Sequence, residues 1–309
     1  MSFRRFSVFV AALAWLAAPS LAGTISSIVV YGDSLSDNGN LFAATGQRPA
    51  PYYQGRFSNG PVAVEQLATN LGVPSTNFVD FAWAGATTGI GNFVDSGTAT
   101  SFGAFNLPGM LTEFSQSQAS LGPFIGGLFV VWGGPNDFLS PSPLDASPAD
   151  TINRAVTDLL TIVGGLQLLG ATDILVPGMP DLGLTPFFQA QGPLAAAQGT
   201  ALTDAFNGAL RANLPPGVTY FDSASLLRSA VSNPGLFGFT NVTDPCFNGT
   251  TVCANPGQYL FWDDLHPTTA TDAIVAGAFQ TAVTPEPSTV ILAAAGFGLL
   301  ILARRRLVR

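Results

Sequence analysis

The chain has 309 residues, 47% of them hydrophobic and 10% charged, and its 11 basic residues are all arginines. Residues 23–283 hold five arginines and 18 acidic residues, a formal charge of −13. This charge excludes nucleic acid and anionic membrane surfaces as electrostatic partners, and the lack of lysine excludes a P-loop.

Residues 1–22 have the composition of a secretory signal peptide. Arg4 and Arg5 precede an apolar stretch over residues 8–18, and small residues at 20–22 form a cleavage site. We therefore expect cleavage after Ala22 and export from the cytoplasm. A retained membrane anchor is the alternative, although the apolar stretch is short for one.

Apolar strands alternate with helices through residues 23–283, which we expect to form a single domain. The predicted strands lie within 27–32, 77–88, 126–134, 171–179, 217–222 and 259–262. The predicted helices lie within 59–72, 147–170, 195–214, 223–233 and the last 20 or so residues before 283. Asn59 is expected to cap the first of these helices, and Ser147 or Asp150 the second.

Continuous apolar strands separated by helices predict a mostly parallel sheet that is covered on both faces. Ligands of such sheets bind at the carboxyl ends of the strands. Polar residues that directly follow a strand are therefore the candidates for a functional site.

Ser34, in the segment GDSLS after the first strand, is either a turn residue or a nucleophile. His266 is the one histidine in the chain, so it is the candidate general base near neutral pH. Asp263 lies three residues earlier, where its carboxylate could orient the imidazole. Asp264 is the competing carboxylate, and we expect it to point elsewhere.

Three groups are candidates for an oxyanion hole: the Ser34 N–H, the Gly85 N–H and the Asn136 side-chain amide. We expect the Ser34 N–H to lie near a helix N-terminus, which favours negative charge. Gly85 follows a short strand, and Asn136 follows the apolar strand LFVVW. Taken singly, Gly85 could serve only a tight turn and Asn136 only a loop cap.

The four segments GDSLS, AGAT, GPND and DDLHP together resemble the motif blocks of the GDSL (SGNH) family of serine esterases and lipases. The resemblance extends over about residues 25–281. It implies a flavodoxin-like α/β/α sandwich, the SGNH hydrolase fold. It also implies no metal, no cofactor, and ester hydrolysis through an acyl-enzyme on Ser34.

Three functions remain open from the sequence. The first is an exported esterase or lipase, expected to be a monomer, that acts on lipid or acylated carbohydrate. The second is an O-acetyl esterase of polysaccharides, and the third a surface-displayed matrix protein on a hydrolase scaffold. Aromatic side chains could line an acyl pocket of the enzyme, namely Phe42, Tyr52, Phe57, Phe138 and Phe187.

Cys246 and Cys253 are the two cysteines of the chain, with an Asn-Gly turn between them. In an exported protein this spacing favours a local disulfide, and two free thiols are the alternative. We do not expect a metal site, because one histidine and two cysteines do not supply the usual ligand set for zinc.

The last part of the chain, residues 284–309, combines Pro285-Glu286-Pro287, an apolar run over 290–303 and three arginines at 304–306. As a helix the run measures about 21 Å, short of a hydrocarbon core of about 30 Å. This order resembles the PEP-CTERM sorting signal. The resemblance implies a short transmembrane helix, processing by an exosortase, and transient anchoring on the way to the periplasm, cell surface or matrix. An ordinary tail anchor is the alternative.

Overall fold

The computed structural model describes residues 25–284. Residues Ile25–Gln280 form one compact unit, and residues 281–284 are the described part of a second unit that includes the chain ends. The expected signal peptide and the expected transmembrane helix both lie outside the described residues. Among the residues that are described, no helix combines the length and the apolar character required to cross a bilayer.

Seven strands within residues 25–284 form two sheets. They are β1 Ile28–Gly32, β2 Phe78–Asp80, β3 Leu128–Trp132, β4 Asp173–Pro177, β5 Val218–Phe221, β6 Asn241–Pro245 and β7 Tyr259–Phe261. The main sheet has the order β2-β1-β3-β4-β5, and every neighbouring pair is parallel. This is the strand order of the flavodoxin-like doubly wound fold. The small sheet pairs β6 with β7, also in parallel.

Nine α-helices lie in the same part of the chain. They are α1 Asn40–Thr45, α2 Ala63–Asn70, α3 Met110–Ser117, α4 Pro135–Leu139, α5 Pro148–Leu168, α6 Pro186–Ala190, α7 Pro193–Asn213, α8 Ser223–Ser232 and α9 Thr269–Val283. The sequence predicts the longer ones. It misses α1, α4 and α6, which are too short to show a helical period, and also α3.

The core lies on both faces of the main sheet because successive side chains of a strand point to opposite faces. Val29 and Tyr31 of β1 pack into a large cluster with side chains of α3, α5 and α7. The intervening Ile28 and Val30 are equally buried on the other face. There the ring of Phe279, in α9, meets other aromatic rings edge-on. The α/β/α sandwich expected from the sequence is confirmed.

Helix capping differs from the expectation at one of two positions. Ser147 caps α5, and its side chain accepts the Asp150 N–H. Asn59 does not cap α2, whose N-cap is Val62. The Val62 N–H is bound instead by Glu65 Oε2 at 3.0 Å, while Asn59 Oδ1 accepts the first N–H of α9 at 2.9 Å.

The loop between β6 and β7 is closed by a disulfide. Cys246 and Cys253 are bonded to each other, so neither is a free thiol. Cys246 is buried beside Tyr52 and Trp262 in a small cluster of its own. The local disulfide favoured by the sequence is therefore present in the structure.

Replacing Phe279 with alanine tests the contribution of α9 to this fold. Phe279 is fully buried, and its ring contacts Trp132 at a centroid distance of 5.2 Å and Phe221 at 4.9 Å. We expect Phe279→Ala to lower the free energy of unfolding by about 3–5 kcal/mol, measured by urea denaturation. The control Leu168→Ala, at a side chain that is 91% exposed, should change it by less than about 0.5 kcal/mol. Equal effects of the two substitutions would contradict the packing described for α9.

Candidate active site

The strand order reverses between β1 and β3, which opens a crevice at the carboxyl ends of these two strands. Ser34 lies just past β1, and Asn136 lies just past β3 in the first turn of α4. Ser34 occupies a turn over residues 34–36 and not a helix N-terminus, which corrects the expectation from the sequence. The following helix, α1, begins only at Asn40.

The structure brings Ser34, His266 and Asp263 into one line of hydrogen bonds. His266 Nε2 lies 2.9 Å from Ser34 Oγ. His266 Nδ1 lies 2.8 Å from Asp263 Oδ1 and 2.9 Å from Asp263 Oδ2. Asp264 points elsewhere, because its side chain is exposed. The arrangement matches the roles of nucleophile, base and orienting carboxylate.

The Asp263 carboxylate is surrounded by donors. Its Oδ1 accepts the backbone N–H groups of Leu265 at 2.9 Å and His266 at 2.8 Å, and its Oδ2 accepts the Tyr52 hydroxyl at 2.8 Å. Burial alone would raise the pKa of Asp263, but the adjacent imidazole of His266 and the two backbone N–H groups hold that pKa well below its usual value. Asp263 therefore stays ionised and can balance a proton on His266.

Tyr52 is a site residue that sequence reasoning assigned to another role. It precedes Asp263 by 211 positions, and no local motif connects the two. Next to it, Phe57 packs its ring on His266 at a centroid distance of 4.8 Å, and the Arg48 guanidinium lies over both aromatic rings. The segment from Arg48 to Phe57 thus encloses one side of the imidazole–carboxylate pair.

The predicted oxyanion donors belong to the three segments that follow β1, β2 and β3. Within residues 25–284, neither the Ser34 N–H nor the Gly85 N–H donates a hydrogen bond to a protein acceptor. The Asn136 amide donates one hydrogen to Ala86 O at 3.0 Å, and an amide carries two. One N–H of Asn136 thus remains for a ligand.

Gly85 is required by its backbone and by its surroundings. Its φ is +83°, a conformation that side chains rarely adopt. A Cβ at this position would lie 2.5 Å from Asn92 Oδ1 and 2.6 Å from Val94 Cγ2. A glycine therefore lets the loop fold against the segment of Asn92 without a clash.

Two buried carboxylates that the sequence did not single out hold these loops in place. Asp137 accepts the N–H and the hydroxyl of Thr88, each at 2.9 Å, and pairs with Arg154 at 2.9 Å. Glu113 accepts the N–H of Gly32 and the N–H of Trp83, each at 3.1 Å. Both carboxylates reach across from other elements, so motif spacing could not reveal them.

A cavity that is partly open to solvent adjoins Ser34 and His266, and we call it the catalytic cavity. Its wall includes Ser34, Asn136, Leu182, Phe188 and His266. The aromatic residues expected to form an acyl pocket do not line it, which corrects that expectation. They pack elsewhere, as when Phe138 packs on Phe206 and Phe57 on the imidazole.

No metal-binding cluster is formed by the residues that the structure describes. Within 25–284, no group of three or more His, Cys, Asp and Glu side chains has the arrangement of a metal site.

Asp33 lies in the wall of the catalytic cavity and is almost fully buried. Its Oδ1 accepts the Leu35 N–H at 3.0 Å, and its Oδ2 has no hydrogen-bond partner among residues 25–284. Burial raises the pKa of Asp33 to about 7, against the opposing effects of the Leu35 N–H and of His266. The folded protein therefore retains a proton on Asp33 that the unfolded chain releases near 3.8.

The stability of the protein should fall as this proton is lost. Because the pKa of Asp33 is higher in the folded state, its contribution is complete below about pH 4 and disappears as the pH rises through 7. As the pH rises through this range, we expect the free energy of unfolding of the unaltered protein to fall relative to that of Asp33→Asn. The difference changes by up to about 1.4 kcal/mol per pH unit and is measured by urea denaturation at pH 5, 6, 7 and 8. Parallel pH profiles of the two proteins would contradict the assignment.

The chain is similar to known proteins over most of its length. A family model described as GDSL-like lipase/acylhydrolase matches residues 28–279. A phosphatidylcholine-sterol acyltransferase of Aeromonas hydrophila is 31% identical over 236 residues, which covers 74% of this chain and 67% of the relative. A thermolabile hemolysin of Vibrio parahaemolyticus is 29% identical and covers 82% of this chain and 62% of the relative, so this chain spans less than two thirds of that protein. A GDSL esterase/lipase of Arabidopsis thaliana is 27% identical, covering 86% and 93%.

Solved structures also match the chain. An acetyl xylan esterase has a TM-score of 0.45 at 11% identity, covering 83% of this chain and 99% of the other. A carbohydrate acetylesterase of Sinorhizobium meliloti has a TM-score of 0.44 at 18% identity, covering 83% and 97%.

The end of the chain has a match of its own. A model of the PEP-CTERM protein-sorting motif matches residues 283–306, which marks the protein for export and sorting to the cell envelope. The family model for the enzyme covers most of the chain, including every strand and every helix but the end of α9. This protein is therefore a member of the GDSL-like lipase/acylhydrolase family, an ester hydrolase that carries a PEP-CTERM sorting motif.

Proposed function

We propose that this protein hydrolyses carboxylic esters through an acyl-enzyme intermediate on Ser34. The observation that carries the proposal is the unbroken chain of hydrogen bonds from Ser34 Oγ through His266 to Asp263. Each of its distances is within the range for direct proton transfer or charge stabilisation.

In the first half of the reaction, Ser34 Oγ attacks the ester carbonyl carbon as His266 Nε2 removes the hydroxyl proton. The carbonyl oxygen becomes an oxyanion in the tetrahedral intermediate. When the intermediate collapses, the bond to the alcohol oxygen breaks, and His266 gives its proton to that oxygen. The alcohol leaves, and the acyl group remains on Ser34.

In the second half, a water molecule takes the position of the alcohol. His266 removes a proton from the water, the resulting hydroxide attacks the acyl carbon, and the Ser34 oxygen leaves with the proton from His266. The products are a carboxylic acid and the free enzyme. Asp263, fixed by Tyr52 and by two backbone N–H groups, keeps the proton of Nδ1 in place throughout.

The oxyanion is stabilised in this proposal by the N–H groups of Ser34 and Gly85 and by the second amide hydrogen of Asn136. These donors are unused by other protein acceptors, so they are available without any rearrangement. Pre-oriented donors contribute much of the rate enhancement in acyl transfer, because they need no reorganisation as charge develops.

The export of the enzyme follows from both chain ends in this proposal. A signal peptide over residues 1–22 is removed, and an exosortase-type enzyme recognises the tail from residue 284 onward. The tail anchors the protein in the membrane at least transiently, before it reaches the periplasm, the cell surface or the extracellular matrix. The match of residues 283–306 to the PEP-CTERM motif supports this route.

Replacing the nucleophile and the base tests the mechanism. We expect Ser34→Ala and His266→Ala each to lower kcat for p-nitrophenyl butyrate by about 10³-fold or more, because each removes a group that acts in both half-reactions. A fluorophosphonate should label the unaltered protein at Ser34, as located by mass spectrometry of the peptides.

Ser36→Ala is the matched control for that experiment. Ser36 is buried in the same turn, but its hydroxyl has no hydrogen-bond partner among residues 25–284. We expect this variant to keep its activity within about 3-fold, as for other substitutions that remove no reacting group. Full activity in folded Ser34→Ala, or labelling at another serine, would refute the proposal.

The oxyanion assignment has its own test. Asn136→Ala should lower kcat by about 10²–10³-fold with little change in KM, because the amide acts on charge that exists only in the transition state. Asn213→Ala, at the exposed end of α7, is the matched control and should leave both constants unchanged. A change in KM alone would assign Asn136 to substrate binding instead.

A further inference from the structure

A second cavity lies beside the catalytic cavity, and we call it the apolar cavity. It lies where α8, α9 and the β6–β7 sheet meet. Leu227, Ala230, Phe239, Leu260 and Ile274 form much of its wall. Protein interiors are close-packed, so a space walled by apolar side chains beside a reactive serine is a candidate binding site.

The two cavities share part of their walls. Leu35, Pro180, Thr185 and Leu265 line both of them. Leu35 follows the nucleophile directly in the sequence, and Leu265 directly precedes the histidine. A ligand bound at Ser34 therefore has the apolar cavity next to it, behind two leucine side chains.

The chemistry of the wall selects an apolar occupant. Among residues 25–284, no charged side chain lines the apolar cavity. The polar groups of Trp132, Thr185 and Thr271 already donate to backbone carbonyl oxygens, at 3.1, 2.7 and 2.6 Å. Only the Ser223 hydroxyl lacks a partner among the described residues. A sugar would lose most of its hydrogen bonds to water here, whereas an alkyl chain would lose none.

We propose that the apolar cavity holds the acyl chain of the ester attacked by Ser34. The substrates are then esters of medium- or long-chain carboxylic acids and not acetyl esters. This inference rests on the proposed function, because it takes Ser34 as the residue that carries the acyl group.

The cavity fits the acyl side of the ester better than the alcohol side. The alcohol must leave with the proton from His266, and water must then enter at the same place. That side of Ser34 has to be open to solvent. The acyl chain, in contrast, stays attached to Ser34 through both half-reactions and benefits from an enclosed apolar site.

Two series of esters test this assignment on the full-length protein. In the first, p-nitrophenyl esters lengthen the acyl chain from acetate to decanoate, and in the second, alkyl acetates lengthen the alcohol from ethyl to octyl. Each methylene that enters an apolar site is worth about 4-fold in affinity. We expect kcat/KM to rise at least about 10-fold from acetate to octanoate in the first series, since only part of this gain has to be realised. A gain in the second series alone would overturn the proposal.

Filling the cavity should remove the gain. Ala230 is buried in α8 and faces the apolar cavity, so Ala230→Phe places a ring in the space of the chain. We expect the ratio of kcat/KM for octanoate to that for acetate to fall at least about 10-fold, since several methylene groups lose their site. Ala230→Leu fills less space and gives a smaller fall, which keeps the test open if Ala230→Phe does not fold. Ala201→Phe, at an exposed position of α7, is the matched control and should keep the ratio unchanged.

Binding without turnover separates this inference from the mechanism. In Ser34→Ala, methyl octanoate should displace the neutral probe N-phenyl-1-naphthylamine at a concentration at least 10-fold below that needed for methyl butanoate. Adding Ala230→Phe should abolish this difference. If the difference persists but hydrolysis does not depend on Ser34, the mechanism fails and the cavity assignment stands. If folded Ala230→Phe leaves both the chain-length ratio and this displacement unchanged, the cavity assignment is wrong.

Discussion

Buried carboxylates accept backbone N–H groups of the segments that follow the strands, and so fix these segments relative to the sheet. A parallel strand is held by backbone hydrogen bonds to its neighbours, but the loops that follow it lose those partners. Here Asp37 accepts the first N–H groups around α1 and also the Ala84 N–H at 2.8 Å. Glu113 connects the end of β1 to the Trp83 N–H, and Asp137 connects α4 to Thr88. Asp37 and Asp137 thus join segments outside the sheet, and Glu113 adds to the backbone hydrogen bond from the Trp83 N–H to Gly32 O at 3.3 Å.

This arrangement explains how the loops that follow the strands can hold the side chains of the candidate site in fixed positions. A hydrogen bond contributes about 0.5–1.5 kcal/mol to stability, and more where one partner is charged. Breaking one in the interior would also leave a backbone N–H without a partner. The loops of Gly85 and Asn136 are therefore held in register with the Ser34 turn by contacts that lie outside the catalytic cavity. The burial of these acids has a cost in turn, because it raises the pKa of Asp37, Glu113 and Asp137.

The sequence predicted the parts of this structure that are encoded locally. Apolar runs located the strands of the main sheet, and the spacing of Asp263 and His266 placed a carboxylate within reach of the imidazole. The contacts that the sequence did not predict join residues that are far apart along the chain. Tyr52 and Glu113 act on residues far along the chain, and Asn59 binds the start of α9 because the fold brings that helix end to it. Such partners follow from the packed fold and cannot be inferred from spacing.

The acidic character of the chain affects what happens after catalysis. The arginines at 56, 154 and 228 are all paired with carboxylates, so they do little to offset the negative field around the domain. An ester is neutral when it arrives, but its acyl product leaves as an anion at neutral pH. A negative protein repels that anion and not the ester. The negative charge of the domain thus favours expulsion of the product and limits product inhibition, most strongly at low ionic strength.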